Sequence, residues 1–144
     1  MHIGIVYWSG TGNTEAMTDY IAEGMRAAGA TVEILNVSHC SPVQALTYDA
    51  LALGCPSMGM EELEDGEFLP FYEELEASLG GRNLALFGSY GWGDGEWMRS
   101  WQQRAIESGA KVFESGLIAQ EAPDATAKEA CFHFGERFAR SLEG

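Results

Sequence analysis

The run Ser9-Gly10-Thr11-Gly12-Asn13-Thr14 directly follows an apolar stretch, His2 to Trp8, and opens an amphipathic pattern of helical period. Strand, tight turn and helix are thereby set at the very start of the chain. A turn of small residues at a helix N-terminus presents backbone N–H groups that the helix itself cannot satisfy, next to the positive end of its dipole. It is a phosphate cradle built from neutral donors. A P-loop needs Gly-x-x-x-x-Gly-Lys-Ser/Thr, and residues 9–14 hold neither a lysine nor that spacing. A dinucleotide fingerprint fails at Glu15, which stands where a third glycine is required. The side chains of Ser9, Thr11, Asn13 and Thr14 supply more donors than one helix cap consumes, so a terminal phosphate monoester is the expected ligand.

Apolar strand-like runs recur at Ile3 to Tyr7, Thr31 to Val37, Ala50 to Cys55, Asn83 to Tyr90 and Lys111 to Ala119, with helical patterns between them. The first helix, about Asn13 to Ala28, gathers Ala16, Met17, Tyr20, Ile21, Gly24, Met25 and Ala28 on one face and stops at Gly29. Another carries Phe68, Phe71, Tyr72, Leu75 and Leu79 before Gly80-Gly81. Glu96 to Ser108 aligns Trp97, Trp101 and Ala105, and the segment after Pro123-Asp124 aligns Ala127, Ala130, Cys131, Phe134, Phe138 and Leu142. The connection His39 to Thr47 has the weakest helical pattern. Strands that are apolar along their whole length belong to a parallel sheet covered on both faces. The expectation is an α/β chain: a single-domain, doubly wound, five-stranded parallel sheet spanning residues 1–144, with helices on both faces.

Eight basic residues against 22 acidic ones give a formal charge of −14, which repels nucleic acid and anionic membranes and favours partners with basic faces. The densest acidic run, Glu61, Glu62, Glu64, Asp65 and Glu67, lacks the ligand spacing of a calcium loop and reads as a solvated loop. Cys40, Cys55 and Cys131 are widely separated and form no Cys-x-x-Cys pair, so buried thiols are expected rather than a disulfide framework or zinc site. His2, His39 and His133 are equally scattered. No apolar stretch approaches the roughly 20 residues of a membrane span, and the start Met1-His2-Ile3-Gly4 lacks the basic region expected of a signal peptide. A cytoplasmic protein is the expectation, with no membrane partner and no metal.

In a doubly wound sheet, ligands bind at the carboxyl ends of the strands. After the third strand comes Pro56-Ser57-Met58-Gly59-Met60-Glu61, and after the fourth comes Tyr90-Gly91-Trp92-Gly93-Asp94-Gly95. Trp92, flanked by glycines, is free to lie against a flat ligand; the alternative is an indole folded back over the core. Trp97 and Trp101, at helical spacing, read as core. Met58 adds a polarizable thioether that can cover an aromatic ring. A phosphate at the first loop and a ring between the other two describe a mononucleotide such as FMN.

With these residues the chain resembles the flavodoxins, over essentially its whole length and particularly the short-chain members from anaerobic bacteria. Ser9 to Glu15 matches that family's phosphate loop, and Cys55 to Glu64 and Phe87 to Trp97 match its two flavin loops. The resemblance implies the strand order 2-1-3-4-5 and a monomeric, low-potential one-electron carrier. Its FMN would be bound non-covalently and cycle between semiquinone and hydroquinone. It implies that Ser9, Gly10, Thr11, Gly12, Asn13 and Thr14 bind the FMN phosphate, and that Met58 and Trp92 flank the isoalloxazine. Gly59, Glu61, Ser89, Tyr90, Gly91 and Gly93 would meet the ring or its polar edge, with the Glu61 carboxylate accepting from the imide N–H. Trp8 would pack near the ribityl chain. In that family the peptide after a loop glycine flips to accept a hydrogen bond from flavin N5, which gives Gly59 a redox-tuning role here. Met60 follows it, where relatives often carry Asp or Asn, residues more tolerant of positive φ.

Adding an electron to make an anionic hydroquinone beside many carboxylates is unfavourable. Two like charges about 10 Å apart at an effective dielectric near 20 repel by roughly 1.7 kcal/mol, or tens of millivolts each for a one-electron step. Other readings compete less well. A phosphotransfer receiver needs an aspartate where Gly54-Cys55-Pro56 ends the third strand, and a small phosphatase needs cysteine and arginine in the first loop. An FMN-dependent quinone reductase needs an additional segment, and a module that merely holds FMN differs from a carrier only in its one-electron chemistry.

Overall fold

The computed structural model describes residues 1–143. Its elements alternate: β1 (His2–Tyr7), α1 (Asn13–Ala27), β2 (Thr31–Asn36), a 3-10 turn (Val37–His39), α2 (Pro42–Ala45), β3 (Ala50–Gly54), α3 (Phe68–Glu76), β4 (Asn83–Tyr90), α4 (Glu96–Glu107), β5 (Lys111–Val112), β6 (Leu117–Gln120) and α5 (Ala125–Ser141). All strand pairings are parallel, in the order β2-β1-β3-β4-β5, with β6 also paired to β4.

Period-two alternation divides the strands between two cores. Ile3, Ile5, Ala52, Ala85 and Phe87 face α1 and α5, where they meet Met17, Ile21, Met25, Phe134 and Phe138. Val6, Leu51, Leu53, Leu84 and Leu86 face the other way, onto Phe68, Tyr72, Leu75, Trp97 and Trp101 of α3 and α4. Neither face is left to water, which is why these strands read as apolar throughout. Cys40, Cys55 and Cys131 are buried and unpaired, as the sequence led us to expect.

The expected last strand, Lys111 to Ala119, is interrupted. Lys111–Val112 pairs with Asn83–Leu84, and Leu117–Gln120 pairs with Phe87–Tyr90, so both halves occupy one place on the β4 edge. Between them Glu114 takes a left-handed φ of 50°, and the chain bends around α4. A Cβ on Gly116 would lie 2.3 Å from the Met98 sulfur, and the Gly116 N–H donates to Gln102 Oε1 at 2.8 Å. The sequence carries a matching turn signal, Ser115-Gly116, inside the run read as one strand.

The connection from His39 to Thr47 contains a single helical turn, α2, capped by Ser41 Oγ. It stops early because Tyr48 must fold over the sheet: its ring occupies the space a Cβ on Gly4 would need. On α1, Thr14 and Thr18 are buried while Ala16 and Tyr20 are only partly so, and on α5 Ala130 is exposed rather than on the core face.

Candidate functional site

The strand order reverses at β1, whose neighbours β2 and β3 are reached over opposite faces, and the loops at the carboxyl ends of β1, β3 and β4 converge there. They enclose a cleft of about 220 Å³. Ser9, Gly10, Thr11, Asn13 and Thr14 line it from the first loop, Pro56, Ser57 and Met58 from the second, and Ser89, Tyr90 and Gly91 from the third.

The first loop is shaped by its own side chains. Ser9 Oγ accepts from the N–H groups of Gly12 at 3.1 Å and Glu15 at 3.3 Å, which curls the loop back onto the start of α1. Gly12 occupies the N-cap at φ 94° and provides no side chain to cap the helix. Among the described residues, the N–H groups of Thr11, Asn13 and Thr14 have no acceptor in the chain. Donors at a helix N-terminus that find no partner in the fold are what a phosphate requires. Gly10 matters for close approach: a Cβ there would lie 2.9 Å from the Trp8 ring, and without one the indole lies against the loop. Trp8 lines the same cleft, and its Nε1 donates to Glu67 Oε1 at 3.3 Å.

Thr14 has a second engagement. It is 1 % exposed; its hydroxyl lies 2.8 Å from Ser89 Oγ and accepts from the Ser89 N–H at 3.3 Å. The cradle is thereby fastened to the end of β4, 75 residues away in the chain.

Beyond Met58 the second loop forms a small hairpin. Met58 and Glu62 exchange both backbone hydrogen bonds, at 2.8 and 2.9 Å, around Gly59-Met60-Glu61. Gly59 has φ 51° and Glu61 φ 57°, whereas Met60 stays out of the left-handed region, so the bend does not ask of methionine the conformation it tolerates poorly. A Cβ on Gly59 would meet nothing within 4 Å; only conformation constrains that position. Glu61 turns its carboxylate toward α4: Oε1 accepts from the Glu96 N–H at 3.1 Å and lies 2.5 Å from where a Gly93 Cβ would be. Gly59, Glu61, Trp92 and Gly93 therefore flank the cleft rather than line it. Trp92 is 59 % exposed and not folded into the core, while Tyr90 packs on Trp97 with ring centroids 5.6 Å apart.

Sequence reasoning passed over two residues. Glu121 lines the cleft and donates its N–H to the Tyr90 carbonyl at 2.7 Å. It follows β6, so the rule that sites gather at strand carboxyl ends would have found it. Glu64, expected within a solvated acidic loop, is instead buried. Its Oε2 accepts from the Gly66 N–H at 2.6 Å, and its Oε1 from those of Glu67 and Phe68, both at 2.8 Å. Burial alone would push this carboxyl up, but the three backbone donors outweigh it and hold it below the ordinary carboxylate range. The signal was a carboxylate placed four residues ahead of an apolar helix start, within reach of the amides that lead into it but masked by its charged neighbours.

A doubly wound sheet with a lysine-free phosphate cradle at its switch point, and an exposed indole and thioether beside it, defines a mononucleotide-binding protein. The comparisons with known proteins are specific. The family model for flavodoxins matches residues 5–135. The chain is 49 % identical over 135 residues to the flavodoxin of Clostridium beijerinckii, covering 94 % of this chain and 97 % of that one. It is 46 % identical over 139 residues to the flavodoxin of Megasphaera elsdenii, covering 96 % and 99 %. The solution structure of two-electron reduced Megasphaera elsdenii flavodoxin aligns with a TM-score of 0.87 at 45 % identity, covering 96 % of this chain and 98 % of that one. The chain belongs to the flavodoxin family and is an electron carrier whose cofactor is FMN.

Proposed function

We propose that this chain is a single, monomeric, cytoplasmic domain that carries electrons one at a time between the basic faces of other redox proteins and catalyses no reaction of its own. FMN, when bound, supplies the reversible one-electron chemistry. The residues do the rest. The amides of Thr11, Asn13 and Thr14, with the hydroxyl of Thr11 and the side chain of Asn13, hold the phosphate. Gly10 and Gly12 give the loop its shape and Ser9 its closure. Met58 and Trp92 cover the two faces of the ring, and the backbone of Gly59, Ser89, Tyr90, Gly91 and Gly93, with Glu61, meets its polar edge. The observation that carries this reading is the set of three unpartnered amides opening onto the switch-point cleft.

Gly59 and Met60 are the tuning pair. With φ at 51° and no side chain, Gly59 lets the peptide that joins it to Met60 rotate at low cost, so its carbonyl can turn toward or away from the ring. Glu61, Glu62, Asp65 and Glu121 around the cleft give a negative field that disfavours added electrons, and the net charge of −14 favours docking on cationic surfaces. Gly59→Ala therefore narrows the separation of the two one-electron midpoints by tens of millivolts, the worth of one hydrogen bond of about 0.5 to 1.5 kcal/mol; potentiometry checks this.

The direct test of the ring's seat is Trp92→Ala. Aromatic stacking on a heterocycle is worth about 1 to 3 kcal/mol, so affinity for FMN should fall by a factor of about 5 to 150, measured by fluorescence titration of the flavin-free protein. An unchanged affinity would move the ring away from Trp92.

A further inference from the structure

We infer that Glu64 is a positioning residue for the electron-transfer site: its carboxylate fixes the base of the loop whose tip faces the flavin, and so sets the spacing of the two midpoints. The inference rests on the proposed seat of the ring against the Met58–Glu62 hairpin.

The loop leaves β3 at Cys55 and re-enters the fold at Phe68. On the β3 side Ser57 N–H donates to the Ser89 carbonyl at 2.9 Å and Trp97 Nε1 to the Cys55 carbonyl at 3.2 Å; on the α3 side the ties run through Glu64. The Glu64 N–H donates to Cys55 Sγ at 3.4 Å, its carbonyl accepts from Leu69 N–H at 2.9 Å, and its carboxylate takes the three amides of Gly66, Glu67 and Phe68. Those amides lead into α3, whose N-cap residue, Glu67, makes no side-chain cap of its own. Glu64 thus joins the end of β3, through its backbone N–H, to the start of α3, through its buried carboxylate.

At the tip, Met58 and Glu62 are closed by their mutual hydrogen bonds, and only Leu63 separates Glu62 from the latch. A displacement at Glu64 therefore reaches Glu62, and across the bridge it reaches Met58. Two orientations of the peptide after Gly59 differ in energy only while the hairpin is held at a fixed distance from its ligand. A loosened base lets the whole hairpin relax and erases that difference. None of the hydrogen bonds of Glu64 described above reaches a lining residue of the cleft, so its influence is on position, together with the field any carboxylate exerts.

Three variants separate position from field. In Glu64→Gln the retained oxygen can keep the bonds to Glu67 and Phe68, but the new amide meets the Gly66 N–H donor to donor. Gly66→Ala keeps the charge: its Cβ would lie 2.8 Å from Glu64 Oε2 and push the carboxylate off that bond. Asp65→Asn removes the same charge from an exposed neighbour that makes none of these bonds.

With FMN bound, potentiometric titration should show the ratio of the two one-electron equilibrium constants falling about tenfold in Glu64→Gln, a narrowing of about 59 mV. Gly66→Ala should shift it in the same direction, and Asp65→Asn by less than about threefold, or about 28 mV. In the flavin-free protein, amide exchange at Met58 and Glu62 should quicken along with Gly66 in both loop-base variants. Equal narrowing in Glu64→Gln and Asp65→Asn, with none in Gly66→Ala, would reduce Glu64 to its charge and overturn the inference. So would faster exchange confined to Gly66, Glu67 and Phe68 with the midpoints in place, which is the result for a mere cap of α3. Both outcomes leave FMN bound and the proposed function standing. A wild-type protein without two separate one-electron steps would instead overturn that function, and this inference with it.

Discussion

Riboflavin, which lacks the phosphate of FMN, will bind the flavin-free protein at least about a thousandfold more weakly than FMN. The amides of Thr11, Asn13 and Thr14 have no acceptor in the fold, so a phosphate replaces no existing bond when it arrives. A hydrogen bond to a charged group is worth about 1.5 to 3 kcal/mol, and three at the low end give about 4.5 kcal/mol, at 1.4 kcal/mol per factor of ten. The positive end of α1 adds to this. Opposing it is the formal charge of −14, which repels a ligand carrying roughly two negative charges at neutral pH. The contacts are short-ranged and the repulsion is long-ranged, so salt weakens the second more than the first. FMN binding should therefore tighten as ionic strength rises, while riboflavin binding stays nearly constant. Fluorescence titrations of both flavins at two salt concentrations check this; similar affinities for the two would remove the phosphate from the Ser9 to Thr14 loop.

Gly24→Ala and Gly135→Ala will each lower the stability of the fold by about 2 kcal/mol or more, although alanine is the better helix former. The two helices on one face of the sheet cross backbone to backbone. A Cβ on Gly24 would lie 1.8 Å from the Phe132 carbonyl oxygen, and one on Gly135 would lie 2.0 Å from that of Ile21. Backbone cannot rotate aside as a flexible side chain does, so α5 must move away from α1 and open the packing of Met17, Phe134 and Phe138. Overpacking of this kind costs about 1 to 3 kcal/mol and occasionally more, against a propensity gain near 1 kcal/mol. The rigid obstacle puts these sites at the upper end. Thermal unfolding of the flavin-free protein should show a midpoint about 5 to 10 °C lower for either variant. A shift of α1 also moves the amides that end in the cradle, so FMN affinity should fall too. An unchanged or raised midpoint would mean that α1 and α5 lie farther apart in solution.

The cradle was legible because it is local. A strand, a turn of small residues and a helix stand side by side in the sequence, and the positive φ at Gly12 adds only detail. The two-faced sheet was legible because strands buried on both sides leave no polar alternation. What escaped depends on partners distant in sequence, or on backbone that side chains reach. The hydroxyl pair of Thr14 and Ser89 joins positions 75 residues apart. The break at Gly116 exists because Met98, on a different element, fills its missing Cβ. Glu64 looked like one acid among several, and only the direction of three backbone N–H groups distinguishes it from its solvated neighbours. The need for glycine at Gly24 and Gly135 likewise lies in backbone of a distant element, the carbonyls of Phe132 and Ile21.

The central claim, that this chain transfers electrons singly through a flavin held at the switch point, is tested most directly by anaerobic reductive titration of the FMN-loaded protein followed by visible absorption. Two separated steps are predicted, with a broad long-wavelength band of half-reduced flavin that rises during the first and disappears during the second. Bleaching of the oxidised spectrum in one two-electron step, with no such band, would contradict it.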